Sequence, residues 1–221
     1  MKTIIFHGGA GLGYYYLGIA RYIQTTYNLY PNDYVFIGCS IGCLSALGLA
    51  SEYNIDSLVN DYIIRIYDNF ANSNYKYLFN IYNELSEQLE KVLPDDIYTL
   101  TNLKISLTEV SNFKCTNVLL DTWGNKSDFI KSIIISGFIP ILGKHLYKPF
   151  KGRNYIDGGV TTSILDDDEF TLNIFYNKWR VIPNSWYIPC TDKEWNTYLY
   201  NLGKEDAHKH KSYLDRYFKS G

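Results

Sequence analysis

The chain has 221 residues, 46% of them hydrophobic, which suits one globular domain spanning residues 1–221 with a core of its own. A formal net charge of −2 carries no basic excess, so nucleic acid is excluded as the expected partner. The four cysteines, Cys39, Cys43, Cys115 and Cys190, form no CxxC pair and no Cys/His cluster of zinc spacing. Neither a metal nor an organic cofactor is expected.

In chain order, Thr3–Phe6 reads as a short buried strand that runs into glycines. It is too short for a signal peptide. Tyr14–Tyr27 follows with apolar residues at helical spacing, then a second short strand at Tyr34–Gly38 and a small, apolar helix at Cys43–Ala50. Strand, glycine loop, helix, strand, tight turn, helix implies a parallel sheet with crossover helices. Two amphipathic helices are predicted at residues 55–70 and 77–93, the second ending before Pro94. Leu103–Val110 alternates as a strand does, with Cys115–Trp123 as its partner. Ser127 is the predicted cap of a helix over Ser127–Phe138, which stops before Ile139-Pro140. A short strand at Asn154–Ile156 closes on Asp157-Gly158-Gly159, and Phe170–Asn177 is a later strand. From Asp192 onward the text is polar and predicted helical, a tail with no further assignment. The longest apolar stretch, Ser132–Leu142, is interrupted by Gly137 and Pro140 and falls far short of the roughly 20 residues that span a bilayer.

Three short motifs carry chemistry. Gly38-Cys39-Ser40-Ile41-Gly42 is a G-x-S-x-G turn between a strand and a helix, where a serine can be presented as a nucleophile at a helix N-terminus. Its plain alternative is a βα turn with an incidental serine. Gly8-Gly9-Ala10-Gly11-Leu12-Gly13 is out of register for a dinucleotide loop, which would need glycine at position 10, and it lacks the Lys-Ser/Thr ending of a P-loop. It suits an oxyanion loop, because glycines let backbone N–H groups approach a substrate oxygen. Asp157-Gly158-Gly159, read alone, is a turn. The usual base for a serine is a histidine, and the chain has four: His7, His145, His208 and His210. His208 and His210 sit in a polar helical segment and His145 in a loop, where surface positions are the ordinary reading. His7 lies at a strand end beside the glycine loop.

In this order and spacing the three motifs resemble the patatin-like phospholipases. The resemblance runs from about Ile4 to Val160: "FHGGAGLGYYYLG", "IGCSIGCLSAL" and "SGFIPIL…YIDGGV" are similar to the family's glycine-rich opening, its nucleophile turn and its aspartate strand. It implies a three-layer α/β/α sandwich with a mainly parallel central sheet. It also implies hydrolysis of phospholipid or acylglycerol ester bonds by a Ser40–Asp157 dyad. Gly9 and Ala10, with Leu12, match the backbone donors of the oxyanion hole. Ala10 stands where the family usually has glycine, and Leu12 where many members have lysine or arginine. Residues 161–221 match nothing in the resemblance. It implies a lipid substrate. With its cysteines read as free thiols and no signal peptide or spanning segment read, a cytoplasmic protein that touches membranes or lipid surfaces transiently is expected. The sequence leaves the oligomeric state open. Two rival readings stand beside it: an α/β-hydrolase esterase with a Ser–His–Asp triad, and a catalytically silent patatin-like module that binds lipid or a partner.

Overall fold

The computed structural model describes residues 1–63, 81–112, 114–140, 145–163, 167–187 and 192–219. Strands β1 (Lys2–Phe6), β2 (Tyr34–Cys39) and β3 (Leu103–Ser111) form a parallel run, and β7 (Thr171–Ile174) adds to the free edge of β1, also parallel. The order β7-β1-β2-β3 is built from apolar strands, as a sheet covered on its faces requires. Ile4, Phe6, Phe36, Leu103, Ile105, Leu107, Leu172 and Ile174 are all fully buried in it.

An antiparallel wing completes the sheet. β4 (Lys114–Leu120) returns along one edge of β3, as the Cys115–Trp123 reading expected of a partner. β5 (Lys148–Phe150) and β6 (Arg153–Ile156) form a hairpin, and β6 pairs antiparallel with β3 at Thr108 and Glu109. β4 also pairs with Thr108 and Glu109, so β6 must lie on the opposite edge of β3, which is the edge that β2 occupies further down. β2 ends with Cys39 opposite Ser106, and β6 ends with Ile156 opposite Thr108. The two strands therefore run at each other along one edge, and their ends are separated by one residue of β3, Leu107.

The helices are α1 (Gly13–Thr26), α2 (Gly42–Ala50), α3 (Ile81–Val92), α4 (Lys126–Ser136), α5 (Lys193–Lys209) and α6 (Lys211–Lys219). The α/β class and central sheet expected from the sequence are present. Of the helix predicted over residues 55–70, a single turn at Ile55–Ser57 and a wider turn at Leu58–Ile63 are described, capped by the Asn54 side chain; the remainder lies outside the described residues, as do the first residues of the 77–93 helix. α4 corrects a cap. Its N-cap is Asn125, whose side chain accepts from the Asp128 N–H at 2.9 Å, so the helix starts before Ser127. An N-cap oxygen must reach an N–H two or three residues on, and Asn125 is the residue with the extended backbone that allows it.

The polar C-terminal segment is not a loose tail. α5 packs along α1, and the two helices cross on facing glycines: a Cβ on Gly18 would lie 2.0 Å from the Tyr200 carbonyl oxygen, and one on Gly203 2.0 Å from that of Tyr15. Beside the crossing, buried Asp206 accepts from Arg180 through both oxygens, at 2.7 and 2.8 Å, and from the Tyr15 hydroxyl at 3.0 Å. These hydrogen bonds hold its carboxyl below the ordinary value against the opposing effect of burial. Gly203→Ala is expected to cost about 1–3 kcal/mol, because backbone rather than a flexible side chain blocks the added methyl. Urea unfolding of the two proteins measures the loss.

Candidate active site

The site lies where β2 and β6 meet. The turn that leaves β2 is sharp: Ser40 has φ +53°, in the left-handed region that a non-glycine residue enters at a cost of about 1–2 kcal/mol. Close packing on both sides holds it there. A Cβ on Gly38 would lie 2.5 Å from the Cys43 Cα, and one on Gly42 would lie 2.4 Å from the Phe6 carbonyl oxygen and 2.6 Å from that of His7. Gly38 thus serves the close approach of strand and helix. Gly42 serves a different approach, of the turn to the end of β1.

From β6 comes Asp157. The Ser40 hydroxyl donates to Asp157 Oδ2 at 2.7 Å. Oδ1 accepts from the Gly159 N–H, also at 2.7 Å, and the Asp157 N–H donates to the Phe138 carbonyl at 3.0 Å. Burial raises the Asp157 carboxyl above the ordinary carboxylate value; the hydrogen bonds from Ser40 and Gly159 pull the other way.

The glycine loop closes over the serine. A Cβ on Gly8 would lie 3.3 Å from the Ser40 Cβ. The buried Tyr16 hydroxyl supports the loop from below, donating to the Gly8 carbonyl at 3.1 Å. Ala10 has φ +46°, which explains why glycine suits this position and what alanine costs there. The Leu12 N–H is already committed: it donates to the Gly9 carbonyl at 3.0 Å in the turn Ala10–Leu12. Among the described residues, nothing accepts from the N–H groups of Gly9 or Ala10. Ala10→Gly relieves about 1–2 kcal/mol of strain and adds about 0.5–1 kcal/mol of chain entropy to be lost on folding. The expected net is a gain of about 0.5–1 kcal/mol, a rise in the melting midpoint of about 2 °C. Differential scanning calorimetry detects it.

A family model described as Patatin-like phospholipase matches residues 4–165. The chain belongs to the patatin-like phospholipase family. Among its relatives is 1-acylglycerol-3-phosphate O-acyltransferase Pnpla3 of Mus musculus, 27% identical over 190 residues that cover 82% of this chain and 45% of that protein. Patatin-like phospholipase domain-containing protein 2 of Homo sapiens is 28% identical over 171 residues, covering 73% and 33%. The chain thus spans less than half the length of either relative. In fold it is similar to the crystal structure of VipD from Legionella pneumophila, with a TM-score of 0.50 at 15% identity over 78% of this chain and 49% of that one.

In this patatin-like chain no histidine bonds to Ser40 or Asp157 among the described residues. His7 is buried, and its Nε2 pairs with Asn173 Oδ1 at 3.0 Å. Asn173 in turn donates to Asp167, which is also paired with Lys178. Burial lowers the His7 imidazole below its ordinary value, so it is neutral around pH 7. His145 is exposed in its loop. His208 is exposed on α5 with its ring against Tyr22, and His210 stacks on Trp179. Three residues of the site escaped the sequence: Tyr16, Tyr82 and Ser136. Tyr82 donates to the Gly137 carbonyl at 3.3 Å and accepts from the Ile139 N–H at 2.9 Å, fastening the turn that follows α4. Ser136 left one trace. It is a polar residue at i+4 from Ser132 within an apolar helical run, and such residues need buried partners.

Proposed function

We propose that this chain is a lipid acyl hydrolase that cleaves carboxylic esters through a Ser40–Asp157 dyad. The observation that carries the reading is the 2.7 Å hydrogen bond from the Ser40 hydroxyl to Asp157, with no imidazole between them. Ser40 Oγ attacks the ester carbonyl while its proton passes to Asp157 Oδ2. The carbonyl π electrons move onto oxygen, where the Gly9 and Ala10 N–H groups stabilise the charge, each such donor being worth about 2.7–4 kcal/mol. Leu12, its N–H spent on the turn, takes no part. Collapse of the intermediate expels the alkoxide, which takes the proton from Asp157, and an acyl-serine ester remains. Water then attacks the acyl group, giving its proton to Asp157, and the fatty acid leaves as Ser40 recovers a proton.

The aspartate is a workable base because of its placement and its raised pKa. Hydrogen-bond contact removes the cost of bringing the two groups together, and burial brings the base closer to neutral pH. Among the described residues no helix is long and apolar enough to cross a membrane, so lipid would be met from the side. Exposed aromatic rings such as Tyr147 and Tyr198 suit that contact. Partial, reversible sedimentation with liposomes is the expected result; activity confined to soluble esters, with no liposome binding at all, would argue against a lipid enzyme.

The name of the mouse relative, an acyltransferase, favours one second reading: the same acyl-serine could pass its acyl group to an alcohol instead of water. One experiment addresses both. The protein and its Ser40→Ala variant are incubated with a mixed lipid extract, with and without 1-acylglycerol-3-phosphate, and the products are read by mass spectrometry. Free fatty acid released only by the unmutated protein is expected. A new diacyl product without fatty acid would move the reading to transfer, and identical product profiles for the two proteins would overturn both.

A further inference from the structure

We propose that Ser136 is a positioning residue that holds the backbone of the nucleophile turn, and that the end of α4 grips both members of the dyad at once. The inference rests on the dyad reading above. Ser136 is fully buried and is the last residue of α4. Its hydroxyl accepts from the Ser40 N–H at 2.8 Å and donates to the Ser106 carbonyl at 2.7 Å. The Cys43 thiol donates to the same oxygen at 3.3 Å.

The directions of these bonds are fixed by the partners. A serine hydroxyl has one proton and two lone pairs. The Ser106 carbonyl has no proton, so it must receive the hydroxyl's. The Ser40 N–H has no lone pair, so it must donate. The thiol takes the remaining lone pair, and every valence of the hydroxyl is used.

Ser40 needs this partner because of where it sits. Beyond Cys39 the strand pairing of β2 with β3 stops, and at φ +53° the Ser40 N–H has left the ladder. Without an acceptor it would be a half-buried, unpaired donor on a strained residue. Relaxing φ toward an ordinary value would carry Cβ and Oγ away from Asp157. Two residues past Ser136, the Phe138 carbonyl accepts the Asp157 N–H at 3.0 Å. Ser136 therefore holds one dyad backbone and Phe138 the other, within three consecutive residues, and Tyr82 braces the segment from outside at Gly137 and Ile139.

The test compares the unmutated protein with Ser136→Ala, Ser136→Cys and Cys43→Ala. Amide hydrogen exchange at Ser40, followed by NMR, reads the proposed bond without reference to activity. Protection in the unmutated protein, and exchange at least ~10-fold faster in Ser136→Ala with neighbouring strand amides unchanged, is expected. For the reaction, Ser136→Ala should lower kcat by about 10–100-fold with KM within a few-fold, the effect of a nucleophile misplaced by a fraction of an ångström to an ångström. The rate of fluorophosphonate labelling should fall in proportion. Ser136→Cys, which keeps a donor and a lone pair, should recover part of the loss, and Cys43→Ala, which leaves the Ser40 and Ser106 bonds, should stay near the unmutated rate. An unprotected Ser40 amide in the unmutated protein overturns the inference whether or not any variant folds. So does a Ser136→Ala protein with unchanged kcat, or a loss that tracks the unfolded fraction and vanishes on cooling. Labelling that persists in Ser40→Ala overturns the dyad instead, and leaves the exchange result to stand or fall separately.

Discussion

Replacing Ser40 by alanine is expected to lower ester hydrolysis by about 10³-fold or more and to abolish fluorophosphonate labelling, with the fold intact. The proposed nucleophilic oxygen is removed outright, and no other hydroxyl bonds to Asp157 among the described residues. The structural cost is small. Alanine and serine meet similar strain at φ +53°, the Ser40 N–H keeps its bond to Ser136, and one hydrogen bond worth about 0.5–1.5 kcal/mol is lost. Steady-state turnover on a lipid ester and thermal unfolding are the two measurements. A folded Ser40→Ala protein that retains more than a few per cent of turnover would remove Ser40 from the mechanism.

Asp157→Asn separates activity from stability. The amide keeps the shape and can still accept from Gly159, but it cannot take the serine proton as the carboxylate does, so activity should fall by at least about 10²–10³-fold. Stability should move the other way. The folded-state pKa of Asp157 is raised, so at acid pH, where both states are protonated, the group costs nothing. As pH rises through the unfolded value the unfolded chain ionises first and stability falls, until the penalty is complete above the folded value. At neutral pH the asparagine variant escapes that penalty, and its melting point should equal or exceed that of the unmutated protein. The same raised pKa sets the acid limb of kcat/KM above the ordinary carboxylate value and, for a carboxylate base, on the acid side of the histidine value of about 6.5. Single histidine-to-alanine changes should leave the limb where it is. A limb near 6.5 that disappears in one of them, with Asp157→Asn still active, would sink the dyad.

What could be read in the sequence was local. The strand, sharp turn and helix around Ser40 lie within Tyr34–Ala50, and the first strand, glycine loop and α1 within Lys2–Thr26. Short-range glycine spacing and hydrophobic periodicity suffice for both. Asp157 could be placed at a strand end but not oriented, since three or four residues of strand carry no signal for the direction in which they pair. The hydroxyl of Ser136 meets Ser40 across 96 positions of chain, and no periodicity encodes such a contact. The cap of α4 was missed because Asn125 and Ser127 are both good N-cap residues, and only the extended backbone at Asn125 decides between them. The C-terminal helices looked solvated for a plain reason. α5 buries one face that includes Leu199, Tyr200, Leu202, Gly203 and Ala207 but also polar Asn196 and Asp206, and the average over the segment is polar.

The meeting of β2 and β6 on one edge of β3 makes that strand a ruler. β3 contributes no side chain to the proposed dyad, yet the interval between Ser106 and Thr108 sets how far apart the two strand ends lie. At about 3.3 Å per residue, adding or removing a single residue there would change the separation by more than the whole length of the Ser40–Asp157 hydrogen bond. It would also turn Leu107's neighbours to the opposite face of the sheet. Side chains along this stretch are replaceable wherever packing allows, while its length is not. The tolerance of the reaction to mutation should therefore be read in two separate currencies, identity at the dyad and count in β3, and a sequence that kept Ser40 and Asp157 but changed that count would carry the motif without the chemistry.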